Sequence, residues 1–146
     1  MNDLFSHTYF MKLALNEAQK AFDENEVPVG CVIVCENKII GKGYNLTERL
    51  NDVTAHAEMQ AITAASSYLG SKYLNECTMY VSLEPCVMCA GAIFWAQAGT
   101  LVYGASDDKR GFSKVGTLLH PKTEIIQGIM ADETSRLMKE FFKKLR

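Results

Sequence analysis

Cys31-Val32-Ile33-Val34-Cys35 is an unbroken apolar run, and its continuity decides the layering. A strand with one wet face alternates apolar and polar residues, whereas a strand covered on both faces reads as continuously apolar. Glu36-Asn37-Lys38 then reads as a turn, and Ile39 to Asn45 as the antiparallel partner. Upstream, Phe10, Leu13, Ala14, Glu17, Ala18, Ala21 and Phe22 recur at helical spacing. They predict a helix over about Thr8 to Asn25, broken by Val27-Pro28-Val29-Gly30.

Towards the C-terminus, a polar loop covers Leu46 to Val53, and Thr54 is expected to cap a helix from Ala55 to about Leu69. Thr78 to Ser82 is the next strand. Pro85 suits the first position of a helix reaching Gln97, because its missing N–H costs nothing there. Thr100 to Gly104 is another buried strand, and Glu124 to Gln127 is expected to be the last. Ala131 to Arg146 reads as an amphipathic helix with Leu137, Met138, Phe141, Phe142 and Leu145 inward. This order, with covered strands, predicts an α/β fold of three layers, α/β/α, with residues 1–146 as one domain.

The bulk properties narrow the possibilities. A chain of 146 residues buries roughly 68–70% of its unfolded surface, enough for a core without staples. No apolar stretch approaches the roughly 18 residues of a spanning helix. Met1 to His7 lacks the basic start and apolar run of a secretory signal. A cytoplasmic protein with no membrane partner is expected. Five cysteines, an odd number, argue for free or metal-bound thiols rather than a disulfide framework. The net charge is −2, divided as −5 over residues 1–104 and +3 over residues 105–146. A basic last third can touch phosphates, although a solvated surface is the commoner meaning of such a bias.

Chemistry concentrates in Thr54-Ala55-His56-Ala57-Glu58 and in Glu84-Pro85-Cys86-Val87-Met88-Cys89. Each opens a predicted helix. Cys86 and Cys89, three apart, project from one face of a first helical turn. With His56 they form a three-ligand set suited to zinc, leaving a fourth tetrahedral position open, as a catalytic site requires. Cys31 and Cys35 lie about 13 Å apart in one strand and cannot both complete it; they and Cys77 read as small buried hydrophobes. Helix N-termini favour the thiolates. Glu58, two residues from His56, would stand beside the metal and move protons. Alone it would be an ordinary N-terminal helix acid, and a lone Cys-x-x-Cys is as easily redox as metal. Together, His-x-Glu followed by Pro-Cys-x-x-Cys is the signature of zinc nucleobase deamination.

The chain resembles the bacterial tRNA adenosine deaminases. The resemblance is carried by Glu26-Val27-Pro28-Val29-Gly30, Asp52 to Met59, Leu83 to Ile93, Val102-Tyr103-Gly104-Ala105 with Asp107 and Lys109, and Gly128 to Phe142. It implies a cytidine-deaminase-like fold with a mixed sheet of about five strands, a homodimer, and one zinc ion per subunit. It also implies hydrolytic deamination of adenosine to inosine at the wobble position of a tRNA anticodon loop, by zinc-activated hydroxide attacking C6 with Glu58 as proton shuttle. Asn45 would hydrogen-bond the flipped base, the backbone at Ala57 and Cys86 would face base and oxyanion, and Asp107 would contact RNA. Without the resemblance Asn45 is equally a turn residue and Asp107 a loop acid.

The chain departs from that pattern at Ser106, at Trp95 and over Gly116 to Glu124, away from the metal residues. His120-Pro121 reads as surface. Lys139, Lys143, Lys144 and Arg146 can meet phosphates beside Phe141 and Phe142, but a helical stripe favours aromatics in the core and lysines in water. Phe94 and Trp95 would suit an apolar interface. Two other functions stay open: deamination of a free base or nucleoside, guanine before cytosine compounds, and a non-catalytic RNA-binding subunit, against which an intact Glu58 argues.

Overall fold

The computed structural model describes residues 5–145. β1 (Gly30–Cys35) is the strand from which the layering was read, and it pairs antiparallel with both β2 (Lys38–Tyr44) and β3 (Thr78–Leu83). β4 (Thr100–Ala105) and β5 (Glu124–Gln127) then extend the sheet in parallel, giving the mixed order β2-β1-β3-β4-β5.

Alternate residues of a strand face opposite sides, and β1 uses both sides as core. Val32 and Val34 pack with Phe10, Met11 and Ala14 of α1 (His7–Asp23). Cys31 and Ile33 pack with Ala57, Ala61 and Ala65 of α2 (Ala57–Leu69), and with Ala90, Ile93 and Ala96 of α3 (Val87–Ala96). α4 (Ala131–Lys144) joins α1 on the first face. The result is the three-layer α/β/α arrangement, with α1 and α4 on one side and α2 and α3 on the other. No helix among the described residues is long and apolar enough to cross a membrane.

Close approach of α2 to β2 requires glycine. A Cβ on Gly43 would lie 2.7 Å from the Ala57 carbonyl oxygen and 2.8 Å from Gln60 Cβ. The absence of a side chain at Gly43, and likewise at Gly41 against Ala61 and Ala65, therefore sets the depth at which α2 rests.

Three local expectations are corrected. Thr54 caps nothing: its N–H and hydroxyl both bond to Asp52 Oδ1 at 2.8 Å, and α2 begins at Ala57, two residues after the expected start, with His56 as N-cap. Pro85 is not the first residue of α3, which starts at Val87 with Cys86 as N-cap. On α4, Phe141 is buried and Leu137 and Met138 are half-buried, but Phe142 and Leu145 face solvent at 45% and 59% exposure. The helix lies at the edge of its layer, so only a narrow stripe finds a neighbour. Arg146, expected to close that helix and to meet phosphates, lies outside the described residues. A 3₁₀ turn at Phe112–Lys114 was not foreseen.

Candidate metal centre and active site

His56 and Cys86 share an unusual role. Each is the N-cap of a helix, and neither makes the side-chain cap bond that Ser, Thr, Asp or Asn would make there. Their side chains are thereby left to point at each other. His56 Nδ1 lies 3.6 Å from Cys86 Sγ and 3.5 Å from Cys89 Sγ. Among the described residues, these three make the one group of His, Cys and carboxylate donor atoms within 4.8 Å of one another. A tetrahedral ion with metal–sulfur of about 2.3 Å and metal–nitrogen of about 2.0–2.1 Å needs N and S donors about 3.5–3.6 Å apart. The observed separations fit such an ion, and one borderline and two soft donors suit zinc.

The electrostatics favour a cation. Cys86 is held down to about 4, first by a hydrogen bond from the Cys89 thiol and then by His56. Cys89 is pushed up because it keeps the proton it shares with Cys86, and burial adds to this. His56 is raised, chiefly by its bond to Cys86. The partial positive ends of α2 and α3 meet at the same place. One thiolate is thus already formed, and a metal ion would displace the remaining thiol proton.

Glu58 lies in the first turn of α2 and is 3% exposed. Burial raises its carboxyl to about 7, against opposing help from its own backbone N–H and from His56. His56, Cys86 and Cys89 all act on this carboxyl, which places it beside the three donors. A carboxyl that titrates near neutrality, next to a candidate metal, can both take and give a proton.

The remaining site residues sit on loops at the same end of the sheet. Asn45 follows β2 and is buried; its Nδ2 donates to the Val27 carbonyl at 3.3 Å and its Oδ1 accepts from Thr47 N at 3.4 Å. Leu46 N donates to Ala55 O at 2.9 Å, which ties this loop to the residue before His56. Ala57 is fully buried at the start of α2. Asp107 follows β4, half-buried, and its Oδ1 accepts from the backbone N–H of Lys109 and Arg110 at 3.0 Å each. Cys31 and Cys77 are buried and Cys35 is half-buried, all as free thiols.

Two buried acids had been given no role. Glu26 is 1% exposed and accepts from Glu48 N and Arg49 N at 3.0 and 2.7 Å. Glu84 is 3% exposed and bonds only to the segment after β4. The signal was an acid within two residues of a proline in an otherwise apolar stretch, at Glu26-Val27-Pro28 and Leu83-Glu84-Pro85.

The model for the cytidine and deoxycytidylate deaminase zinc-binding region matches residues 5–105. The tRNA-specific adenosine deaminase of Aquifex aeolicus is 45% identical, over 94% of this chain and 95% of that protein. A structure solved in work on A-to-I editing by tRNA:A34 deaminases at the wobble position superposes with a TM-score of 0.83 at 40% identity, covering 89% of this chain and 99% of its own. Guanine deaminase from Bacillus subtilis reaches a TM-score of 0.66 at 41% identity, over 73% of this chain and 66% of its own.

Proposed function

Since the chain belongs to the cytidine and deoxycytidylate deaminase family, a zinc-dependent group of aminohydrolases, we infer that it deaminates adenosine to inosine at the wobble position of a tRNA anticodon loop. The observation that carries this reading is the meeting of the donor atoms of His56, Cys86 and Cys89 within 4.8 Å, with Glu58 buried in the first turn of α2, two residues beyond His56. Near-complete coverage of a tRNA-specific relative and of a tRNA:A34 deaminase structure directs it to RNA.

In this reading His56 Nδ1 and the sulfurs of Cys86 and Cys89 hold one zinc ion per subunit. When bound, zinc supplies the Lewis acidity that makes water a nucleophile near neutral pH. Glu58 takes a proton from the attacking water and delivers it to N1 of the adenine ring. It then takes the second proton, from the hydroxyl now bonded to C6, and passes it to the exocyclic nitrogen, which leaves C6 as ammonia; water is consumed and inosine, with its C6 carbonyl, remains. The Asn45 amide, now bonded to Val27 and Thr47, can turn to the edge of the base. The backbone at Ala57 and Cys86 faces base and oxyanion, and Asp107 contacts RNA near the target nucleotide. A base must leave its stack to reach such a site, and an anticodon loop presents unstacked bases.

The protein acts as a cytoplasmic homodimer, with the exposed Trp95 and Val87 of α3 beside Phe94 offering an apolar face. Deamination of guanine is the second reading, favoured by the 41% identity to the Bacillus enzyme over part of each chain.

The deciding experiment incubates zinc-loaded protein with an anticodon stem-loop carrying wobble adenosine, and separately with adenosine, guanine, guanosine, cytosine and cytidine. Products are read by digestion and mass spectrometry. Inosine from the stem-loop alone is expected. Turnover of a free base with an inert stem-loop would overturn the RNA reading and transfer the same chemistry to salvage of small bases.

A further inference from the structure

Glu84 is buried, yet the ion pairs among the described residues are Lys20–Glu17 and Arg49–Glu24, and neither involves it. An ionised carboxylate is costly to bury unless hydrogen bonds replace its water. Here all three donors come from one loop. Asp107 N donates to Oε1 at 3.0 Å, while Ser113 N and the Ser113 hydroxyl donate to Oε2 at 3.0 and 2.6 Å. The backbone just beyond Glu84 is tied to the same loop. Phe112 N donates to Pro85 O at 2.9 Å, and Cys86 pairs with Gly111 as an isolated antiparallel bridge. Gly111 has no room for a side chain, because a Cβ there would overlap the Glu84 carboxyl group.

We propose that Glu84 is a positioning residue that clamps the loop 107–113 onto Cys86, so that the RNA-facing wall and a metal donor are held as one unit. The inference rests on the reading of Cys86 as ligand and Asp107 as substrate contact. A carboxyl group offers two acceptor oxygens, and Glu84 uses one for Asp107 and the other for Ser113, whereas an amide has a single oxygen to offer. With the clamp released, Cys86 keeps its place in sequence but loses the backbone partners that aim its sulfur. Asp107, at the other end, loses its register. Glu26 is the natural comparison: it is equally buried and also holds a loop by two backbone N–H groups, but its bonds go to residues 48 and 49 rather than to the segment against Cys86.

The test measures zinc release to a colorimetric chelator, with thermal melts alongside, for the zinc-loaded wild type, Glu84→Ala, Glu84→Gln, Ser113→Ala, Glu26→Ala, Gly111→Ala and the Glu84→Ala/Gly111→Ala pair. KM and kcat on the stem-loop are read in parallel. Loss of a group that supports a metal ligand typically costs about 10–100-fold, and Glu84→Ala should release zinc faster by that order and raise KM. Glu84→Gln, keeping one acceptor for Ser113, should fall between. Ser113→Ala, on an exposed residue, should shift release in the same direction and keeps the test open if Glu84→Ala does not fold. Glu26→Ala should lower the melting temperature and leave zinc release as in the wild type. Gly111→Ala should reproduce Glu84→Ala, and the pair should be no worse than either alone, since the added methyl occupies the vacated space. Equal acceleration by Glu26→Ala and Glu84→Ala, or multiplicative effects of Glu84→Ala and Gly111→Ala, overturns the clamp. A wild type that holds zinc but leaves the stem-loop untouched defeats the substrate reading, while zinc release still decides the clamp.

Discussion

At the scale of single residues, Glu58 carries the proton transfers of the proposed function. Its place beside His56 was readable because His-x-Glu before Pro-Cys-x-x-Cys is restrictive: metal donors must be of few types, and they must converge. Its burial was not readable, and burial is what raises it from 4.5 to about 7. The sign for the metal-free protein follows. A carboxyl whose folded value is raised contributes stability that is fully present below about 4.5 and is lost as pH rises through about 7. Urea melts of chelator-treated protein should show stability falling over that window, and Glu58→Gln should flatten the fall; an unchanged slope would place the titration elsewhere. In zinc-loaded protein, Glu58→Ala should keep the metal and lose about 10²–10⁴-fold in kcat, read by single-turnover deamination. Glu84 escaped sequence reading for a different reason. Its partners Asp107 and Ser113 are 23 and 29 residues away, and no local pattern announces a bond to a loop not yet folded.

Secondary-structure elements were legible to within a residue or two, and the misses are instructive. Thr54 and Pro85 were assigned the helix starts because a hydroxyl and a proline usually hold those positions. The chain instead places His56 and Cys86 at the caps, where neither side chain makes a cap bond and both stay free to meet. The stripe on α4 was over-read: Phe141 is 2% exposed, in edge contact with Phe22, whereas Phe142 is open. Phe141→Ala should therefore cost about 3–5 kcal/mol in denaturant melts, and Phe142→Ala far less. An equal cost would mean that the two rings share a buried setting. α2 offers a sharper case. Because Gly43 lies against the Ala57 carbonyl, Gly43→Ala should push the helix start away from the thiols. A shift of about 1 Å at a reacting group can cost about 10²-fold, so kcat should fall more steeply than thermal stability. A loss in stability with kcat intact would show that α2 yields elsewhere.

On the scale of the whole molecule, the layering followed from one covered strand, but the sheet order did not. The place of β1 between β2 and β3, antiparallel to both while β3, β4 and β5 run parallel, depends on pairings that no single stretch specifies. That order puts the ends of β2, β3 and β4 beside the starts of α2 and α3, and the candidate site occupies their meeting point. The exposed surface of α3 carries Trp95, 75% exposed and edge-on to Phe94 at 5.3 Å. It is the single tryptophan of the chain, so the protein carries its own optical reporter on the helix that holds Cys89. Emission excited at the indole band should move to shorter wavelength and resist iodide quenching as concentration rises, if a second copy covers α3. Sedimentation showing dimers with an unaltered spectrum would move the contact to another face. No label is needed, and the same signal would register anything else that settles on that helix, RNA included, in real time.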